Sequence, residues 1–276
     1  MSARTAAILT LLAAMAACDG RSIGADGGAE SDTAAGPRCP KDPEFFCLSG
    51  RAYYAQDVAN RWAGSTQPPR PLGLKDRVSI VLFDGWFRAQ QPWMTQPLGS
   101  GTIDADGYFM VQGNAMPPHK WVAPVVDDAD STQDMWVPSS PAIDVVQGQS
   151  VDGIELPVVP KALAEAWATA WGWSKLVTTG TILVRFTDSA GKSRAGVQVD
   201  VPDFDIPAVF FGDDIGQPPY LKVVESATTS RSGMIGNPFF PTWTQPEGPC
   251  HYSLIRSQGT LNGLFLFADF EPAGCD

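Results

Sequence analysis

Short runs of β-branched and apolar residues, each followed by a turn signal, recur along most of this sequence. In the first half such runs lie at residues 78–83, 108–111 and 121–126, the second of them directly after residues 104–107 (Asp-Ala-Asp-Gly). Runs of this length between Gly, Pro and Asp clusters are typical of strands joined by tight turns. The 27 glycines and 24 prolines among 276 residues exceed the usual combined share of about 12%. We therefore predict an all-β protein with a sandwich architecture.

The second half of the chain repeats this pattern. Strands are predicted at residues 180–187, 196–201 and 221–224. A further turn and strand follow at residues 228–235, where a Thr and a Gly have the same spacing as in residues 102–107. We interpret this likeness as a weak internal repeat of one β unit.

One helical segment is predicted between the two halves, at residues 160–172. A Pro in its first turn and a Gly at its end suit the start and the stop of a helix. An apolar stripe must be covered, so we interpret the segment as a linker helix packed on the sandwiches; the alternative is a helix that binds a partner. The stripe consists of Leu163, Ala166, Trp167, Ala170 and Trp171.

The amino terminus has the composition of an export signal. Arg4 precedes an uncharged, mostly apolar run at residues 5–17, which is shorter than the roughly 20 residues that span a membrane. The run ends in residues 15–18 (Met-Ala-Ala-Cys), which resemble the lipobox of bacterial lipoproteins. The resemblance implies cleavage before Cys18, which then carries a diacylglycerol thioether and an acylated amino group. The alternative is an ordinary signal peptide that leaves Cys18 as a free thiol.

A polar linker follows the lipobox. Residues 20–37 are rich in Gly, Ala, Ser and Asp, with too few bulky apolar side chains to bury a core. We therefore predict a signal peptide at residues 1–17 and a lipidated cysteine with a flexible tether at residues 18–38. Asp19 resembles the signal that retains some lipoproteins in the inner membrane. The protein is expected in the bacterial cell envelope, facing the periplasm or the cell exterior.

Apart from the lipobox cysteine, the chain has an even number of cysteines, which suits disulfide formation outside the reducing cytoplasm. Four cysteines allow three pairings, and proximity in the sequence favours Cys39 with Cys47 and Cys250 with Cys275. The alternative is a zinc site in which His251 joins the first three of these cysteines, although no C-x2-C spacing supports it. We expect two disulfides and no metal site.

Two segments carry a resemblance to a known family. The turn and strand motifs at residues 180–199, with their G-V-x-V, and the segment at residues 102–109 resemble the carboxypeptidase regulatory-like domain of the transthyretin-like superfamily. The resemblance implies two Greek-key β-sandwich domains, at residues 39–159 and 175–276, joined by a short helix at residues 160–174. It rests on turn and strand motifs and so implies fold rather than function.

Residues 104–107 also match part of a calcium-binding loop. The match fails at the first and twelfth loop positions, which Thr102 and Gly113 occupy. In the internal repeat, two serines replace the two aspartates, while the Thr and the Gly are kept. We therefore predict a hairpin turn in which Gly107 supplies a positive φ.

Catalytic motifs are weak in this chain. A serine nucleophile needs a base, usually His, and the sequence offers only His119 and His251, without a G-x-S-x-G motif. Ser189 and Lys192 form an S-x-x-K pattern inside a predicted turn, without its companion motifs. A pair of loop carboxylates could hydrolyse a glycosidic bond, so an accessory hydrolase of polysaccharide or peptidoglycan is the alternative function. The candidate carboxylates are Asp127, Asp128, Asp130, Asp203, Asp205, Asp213 and Asp214.

Aromatic residues in predicted loops are the candidate ligand-binding residues: Trp86, Phe87, Trp93 and Trp136. Exposed planar rings bind sugar faces and protein hot spots, because they offer a large apolar area with few rotatable bonds. The alternative is that these rings cap the core of their own domain.

The charge balance excludes one class of function. With 30 acidic against 19 basic residues and a formal charge of −11, the chain lacks the basic surplus that nucleic-acid binding needs. We expect a non-catalytic lipoprotein that is attached to a membrane through Cys18. It would act as a binding or structural module for protein or glycan partners, without a cofactor.

Overall fold

A computed structural model of the chain shows strands in most of its regular elements. It describes residues 36–41, 45–73, 77–82, 98–114, 120–127, 136–141, 143–145, 150–200, 209–212, 223–224, 226, 228–237, 241–256 and 263–272. Among these residues helices are few, and the strands form four sheets. The prediction of an all-β protein is confirmed at this level.

The first half of the chain supplies two of these sheets. Its described elements are β1 (Phe45–Tyr54), α1 (Ala55–Trp62), β2 (Arg77–Leu82), β3 (Gly99–Thr102), β4 (Tyr108–Asn114), β5 (Lys120–Asp127), β6 (Trp136–Val137), β7 (Ser139–Pro141), β8 (Ile143–Val145) and β9 (Val151–Pro160). Sheet 1 has the order β4-β1-β9-β6, and sheet 2 has the order β3-β2-β5-β8. The three strands predicted in this half correspond to β2, β4 and β5.

Alternate positions of these strands fill a shared core. Phe46 and Leu48 of β1 pack with Phe109 and Val111 of β4 and with Val126 of β5. Because successive side chains of a strand point to opposite faces, the residues between these positions face outward. The first half is therefore a two-layer β structure with one apolar core.

The second half supplies the other two sheets. Its described elements are α2 (Lys161–Ala170), α3 (Leu176–Thr179), β10 (Thr181–Phe186), β11 (Gln198–Asp200), β12 (Val209–Phe211), β13 (Val223–Val224), β14 (Met234–Asn237), β15 (Pro241–Gly248), β16 (His251–Arg256) and β17 (Phe265–Phe270). Sheet 3 has the order β13-β12-β14-β10-β17-β7, and sheet 4 has the order β11-β16-β15. The strands predicted in this half correspond to β10, β11, β13 and β14.

The two halves share a strand arrangement. In sheet 1, β1 lies between β4, which is antiparallel to it, and β9, which is parallel. In sheet 3, β10 lies between the antiparallel β14 and the parallel β17. The turns before β4 and β14 are the two segments of the internal repeat that the sequence predicts. The repeated motif therefore precedes equivalent strands in the two halves.

A crossing of the chain joins the halves. Val137 in β6 pairs with Val159 in β9, whereas Ser139, two residues later, pairs with Phe265 in β17. The Ser139 hydroxyl donates to the Val137 carbonyl at 2.8 Å and accepts the Val159 N–H at 3.0 Å. The Pro138 carbonyl accepts the Phe265 N–H at 2.8 Å. The first half thus contributes an edge strand to the main sheet of the second half.

The helices differ from the prediction of one helical segment. Helices α1 and α3 were not predicted, whereas the segment predicted at residues 160–172 forms α2. Ala164, Trp167 and Ala168 are its buried residues, so the predicted stripe is wrong at Ala166 and Ala170, which are exposed. Burial follows the spacing of three and four residues around Trp167 rather than a strict spacing of four. None of the described helices is long and apolar enough to cross a membrane.

A second apolar core lies where the halves meet, and we call it the junction core. It combines the buried face of α1 with α2 and with strands of sheet 3, so both helices are covered by the β structure. The predicted packing role of α2 fits this position. The junction core consists of Ala55, Val58, Ala59, Trp62, Val137, Val159, Ala164, Trp167, Ala168, Leu176, Leu183, Phe211, Met234, Phe265 and Phe267.

Candidate functional site

The start of the described chain is fixed to the centre of sheet 1. Residues 36–41, which we call the strap, include Cys39, and Cys39 forms a disulfide with Cys47 of β1. The Cα atoms of the two cysteines lie 5.5 Å apart, an ordinary distance for this bond. The predicted pairing of Cys39 with Cys47 is confirmed. The polar linker of the sequence therefore meets the folded body at a covalent crosslink.

Polar and aromatic contacts accompany the crosslink. The Cys39 N–H donates to Asp152 Oδ1 at 2.9 Å, and the Ser49 hydroxyl donates to the same oxygen at 2.5 Å. At the other end of the strap, a Cβ on Gly36 would lie 2.6 Å from the Tyr108 ring, so the Gly36 backbone rests directly on that ring. The strap thus lies against the outward face of β1 and β4.

Cys250 is also disulfide-bonded, and its φ of 52° places it in the left-handed region. The remaining cysteines, Cys18 and Cys275, lie outside the described residues, so the pairing of Cys250 with Cys275 stays a prediction. Zinc ligation requires thiolates, whereas Cys39, Cys47 and Cys250 are all in disulfides. The alternative of a zinc site that uses these three cysteines is therefore wrong.

The side chain of His251, one of the two candidate catalytic bases, contacts a carboxylate. Its Nε2 atom is 2.6 Å from Asp200 Oδ2, and the two residues lie on the parallel strands β16 and β11. Both side chains are partly exposed. The pair fastens the short strand β11 to its neighbour. His119, the other candidate base, lies outside the described residues.

The aromatic candidates divide into two groups. Trp136 lies in β6 and is only 5% exposed, so its predicted position in an exposed loop is wrong. Its ring packs edge-on against Tyr54 with ring centres 5.4 Å apart, and it belongs to the core of the first half. Trp86, Phe87 and Trp93 lie outside the described residues, so their role stays a prediction.

Arginine and tyrosine side chains stack on the outward face of sheet 1. The Arg51 guanidinium lies 4.6 Å from the Tyr108 ring centre and 5.6 Å from that of Tyr53, and its Nε donates to the Asp106 carbonyl at 2.8 Å. Burial raises the pKa of the Tyr53 hydroxyl, and the positive charge of Arg51 opposes this shift in part. The cluster is held together by cation–π contacts and hydrogen bonds.

Helix α1 contacts the first half through an ion pair and the second half through a cation–π contact. Arg61 pairs with the buried Glu155 of β9. The next residue, Trp62, lies under the guanidinium of Arg185 on β10, at 4.4 Å, and Arg185 forms a two-point ion pair with Asp269 of β17. These charged side chains therefore hold α1, β9, β10 and β17 together.

The two acidic turns are structural. The Asp104 carboxylate accepts the N–H groups of Asp106 and Tyr108, both at 2.9 Å, and Gly107 has a φ of 85°. The predicted turn with a positive φ at Gly107 is confirmed, but it is not a hairpin, because β3 and β4 on either side of it lie in different sheets. In the S-x-x-K segment, Asp188 caps a turn in the same way by accepting the N–H groups of Ala190 and Lys192.

One of the seven candidate hydrolytic carboxylates lies among the described residues. Asp127 is the last residue of β5, and the other six candidates lie outside the described residues. Within the described ranges, no group of three or more His, Cys, Asp or Glu side chains is arranged to hold a metal ion.

An open depression of about 560 Å³ beside α2 is lined by Glu165, Ala168, Thr169, Gly172 and Ser174.

Comparison with known proteins gives only distant structural matches. No protein-family model matches the sequence, and no curated protein matches it. A DUF3823 family protein from Parabacteroides merdae is 18% identical over 43% of this chain, with a TM-score of 0.23, and the match spans 48% of that protein. The Streptococcal ancillary pilin is 11% identical, with a TM-score of 0.22, over 82% of this chain and 68% of the pilin.

The shaft pilin SpaA from Lactobacillus rhamnosus GG is a further match. It is 12% identical to this chain, with coverage of 84% of this chain and 99% of the pilin, and the TM-score is 0.24. TM-scores this low do not establish a common fold.

Proposed function

We propose that the protein is a bacterial lipoprotein whose folded body is held to a membrane by a lipid on Cys18. The proposal rests on the lipobox-like residues 15–18, the polar linker at residues 20–37 and the crosslink between Cys39 and Cys47. The crosslink ties the chain to sheet 1 where the polar linker ends, and terminal segments fray unless they are tied down.

The disulfide is the observation that carries this proposal. Disulfides persist in oxidising compartments and are rare in the cytosol, so a crosslink between Cys39 and Cys47 favours an exported chain. The disulfide state of Cys250 is consistent with the same compartment. Export in turn requires a leader, and residues 5–17 are the candidate for it.

We further propose that each half of the body is a transthyretin-like Greek-key sandwich and that the two arose by duplication. The support is the shared arrangement of β4-β1-β9 and β14-β10-β17, together with the repeated turn before β4 and β14. Gly107 and Gly233 close these turns at positive φ, and their carbonyls accept the N–H groups of Ala52 and Phe186, at equivalent ends of the central strands.

The body acts, in this proposal, as a non-catalytic module that presents loops to a protein or a glycan. Three described arginines support a structural use, since Arg61, Arg70 and Arg185 each form an ion pair with another residue of the body. Trp86, Phe87 and Trp93, for which the sequence predicts a loop, are the proposed contacts for a ligand.

Replacement of the anchor residue tests the localisation. Full-length protein carrying Cys18→Ser, expressed in a bacterial host, should move from the membrane fraction to the soluble fraction, because acyl chains supply the membrane affinity. Cys39→Ser is the matched control, since it also removes a cysteine but leaves the lipobox intact, and it should stay in the membrane fraction. Unchanged membrane retention of Cys18→Ser would reject the proposal.

A glycan array probed with the soluble body tests the binding role. Binding that Trp93→Ala reduces, while an exposed control such as Lys192→Ala does not, would support the loop aromatics as contacts. Binding that survives the combined replacement of Trp86, Phe87 and Trp93 by Ala would contradict their assignment.

A further inference from the structure

On the outward face of β1 and β4, some side chains are buried and others are exposed to solvent. Cys47 and Ser49 face outward, yet each is only 1% exposed, whereas Phe45 and Met110 on the same face are 40% and 41% exposed. The register pairs Ser49 with Met110, and Cys47 lies between Phe45 and Ser49 along the strand. The strap contacts this covered part directly through Cys39.

Few described interactions hold the strap against the sheet. They are the disulfide between Cys39 and Cys47, the hydrogen bond from the Cys39 N–H to Asp152, and the contact of Gly36 with the Tyr108 ring. The hydrogen bond is exposed, so water competes for both of its groups, whereas the disulfide is covalent and lies in the middle of the strap. The disulfide is therefore the dominant attachment of the strap.

We propose that the strap is a redox-sensitive cover, which a dithiol reductant releases from the outward face of sheet 1. Release uncovers Cys47, which lies between Phe45 and Ser49 on β1 and opposite the exposed Gln112 of β4. The inference goes beyond the proposed function, and it does not require a lipid on Cys18.

The chemistry of release is thiol–disulfide exchange. A thiolate of the dithiol attacks the sulfur of Cys39, because Cys39 is partly exposed whereas Cys47 is buried, and the electron pair of the broken bond leaves with Cys47 as a thiolate. The second thiol of the reductant then attacks the mixed disulfide and displaces the Cys39 thiolate. The dithiol gives up two protons and becomes a disulfide, and the two protein thiolates take up two protons to become thiols.

Alkylation of Cys47 tests the release. In the Cys39→Ser variant, made in the Cys18→Ser background, Cys47 is a free thiol that the strap either covers or leaves open. We expect iodoacetamide to modify Cys47 at a rate more than about tenfold higher than the measured rate of global unfolding. The reason is that local opening of the strap exposes the thiol without unfolding of the body. Modification of Cys47 no faster than global unfolding would overturn the proposal.

Limited proteolysis supplies a matched control. Trypsin should cut after Arg38 and Lys41 faster in Cys39→Ser than in Cys250→Ser, because the second variant removes a disulfide elsewhere and keeps the strap attached. Equal cleavage in the two variants would overturn the proposal. If Cys39→Ser does not fold, hydrogen exchange of the wild-type body with dithiothreitol replaces it. The Cys39 amide should then lose protection, and unchanged protection would be the contrary result.

Discussion

The guanidinium carbon of Arg185 lies 4.4 Å from the centre of the Trp62 ring, so a cation of the second half stacks on an aromatic ring of the first. The same guanidinium pairs with Asp269 through two contacts, Nε to Oδ1 at 2.8 Å and Nη2 to Oδ2 at 2.5 Å. The Arg185 side chain is only 4% exposed. Because a buried charge needs a partner, these three residues connect the halves as a unit.

Arg185→Leu should lower the free energy of unfolding by roughly 3 kcal/mol, since it leaves Asp269 without its cation and Trp62 without its stacking partner. Urea unfolding followed by tryptophan fluorescence measures the change. Lys192→Leu is the control, because Lys192 is exposed in a turn, and it should change stability by less than about 0.5 kcal/mol. Equal effects of the two variants would contradict the role of Arg185.

Ser139→Ala should lower stability by roughly 1–3 kcal/mol, because the buried Val159 N–H then loses its acceptor. Ser140→Ala is the control. Its hydroxyl donates only to the adjacent Pro141 carbonyl, so we expect a loss below about 1 kcal/mol. Thermal unfolding of both variants makes the comparison, and a larger effect at Ser140 would count against the crossing as described.

Gly107→Ala and Gly233→Ala should both destabilise the protein more than Gly153→Ala. All three glycines have positive φ, which costs an Ala about 1–2 kcal/mol. A Cβ at Gly107 would also lie 2.9 Å from the Ala52 carbonyl oxygen, and one at Gly233 would lie 2.6 Å from that of Phe186, whereas Gly153 has open space. Denaturant midpoints of the three variants test this order, and equal losses would contradict the close approach.

Tyr53 makes stability depend on alkaline pH. Burial raises the pKa of the Tyr53 hydroxyl above its ordinary value, so the folded state keeps a proton that the unfolded chain loses. Stability should therefore fall as pH rises above about 10, the pKa of an unperturbed tyrosine. Tyr53→Phe should reduce this fall, as measured by urea unfolding below and above that pH. A fall as steep in Tyr53→Phe as in the wild type would contradict the assignment.

The sequence predicted strands correctly where neighbouring residues carry the strand signal. The runs at residues 78–83, 108–111 and 121–126 alternate or are β-branched and end at turns, and each is a strand. Strand β1 was missed because Gly50 interrupts it. A Cβ at Gly50 would lie 1.9 Å from the Ile154 carbonyl oxygen, so this glycine permits a close strand approach that no local pattern reveals.

Contacts between distant residues could not be predicted from the sequence. The sequence predicts a loop at Trp136, whereas the chain there crosses between two sheets and buries the ring. The pairing of Ser139 with Phe265 depends on the assembled halves. By contrast, the disulfide of Cys39 and Cys47 was predicted, because short sequence separation makes that pairing the easiest to close.

Intact-mass spectrometry of the protein extracted from membranes tests the central claim most directly. The account predicts a mature chain that begins at Cys18 and carries the added mass of a diacylglycerol and an amide-linked acyl chain. Peptide mapping of the first residues would locate that mass on Cys18. A chain that retains residues 1–17, or one with an unmodified Cys18, would contradict the account.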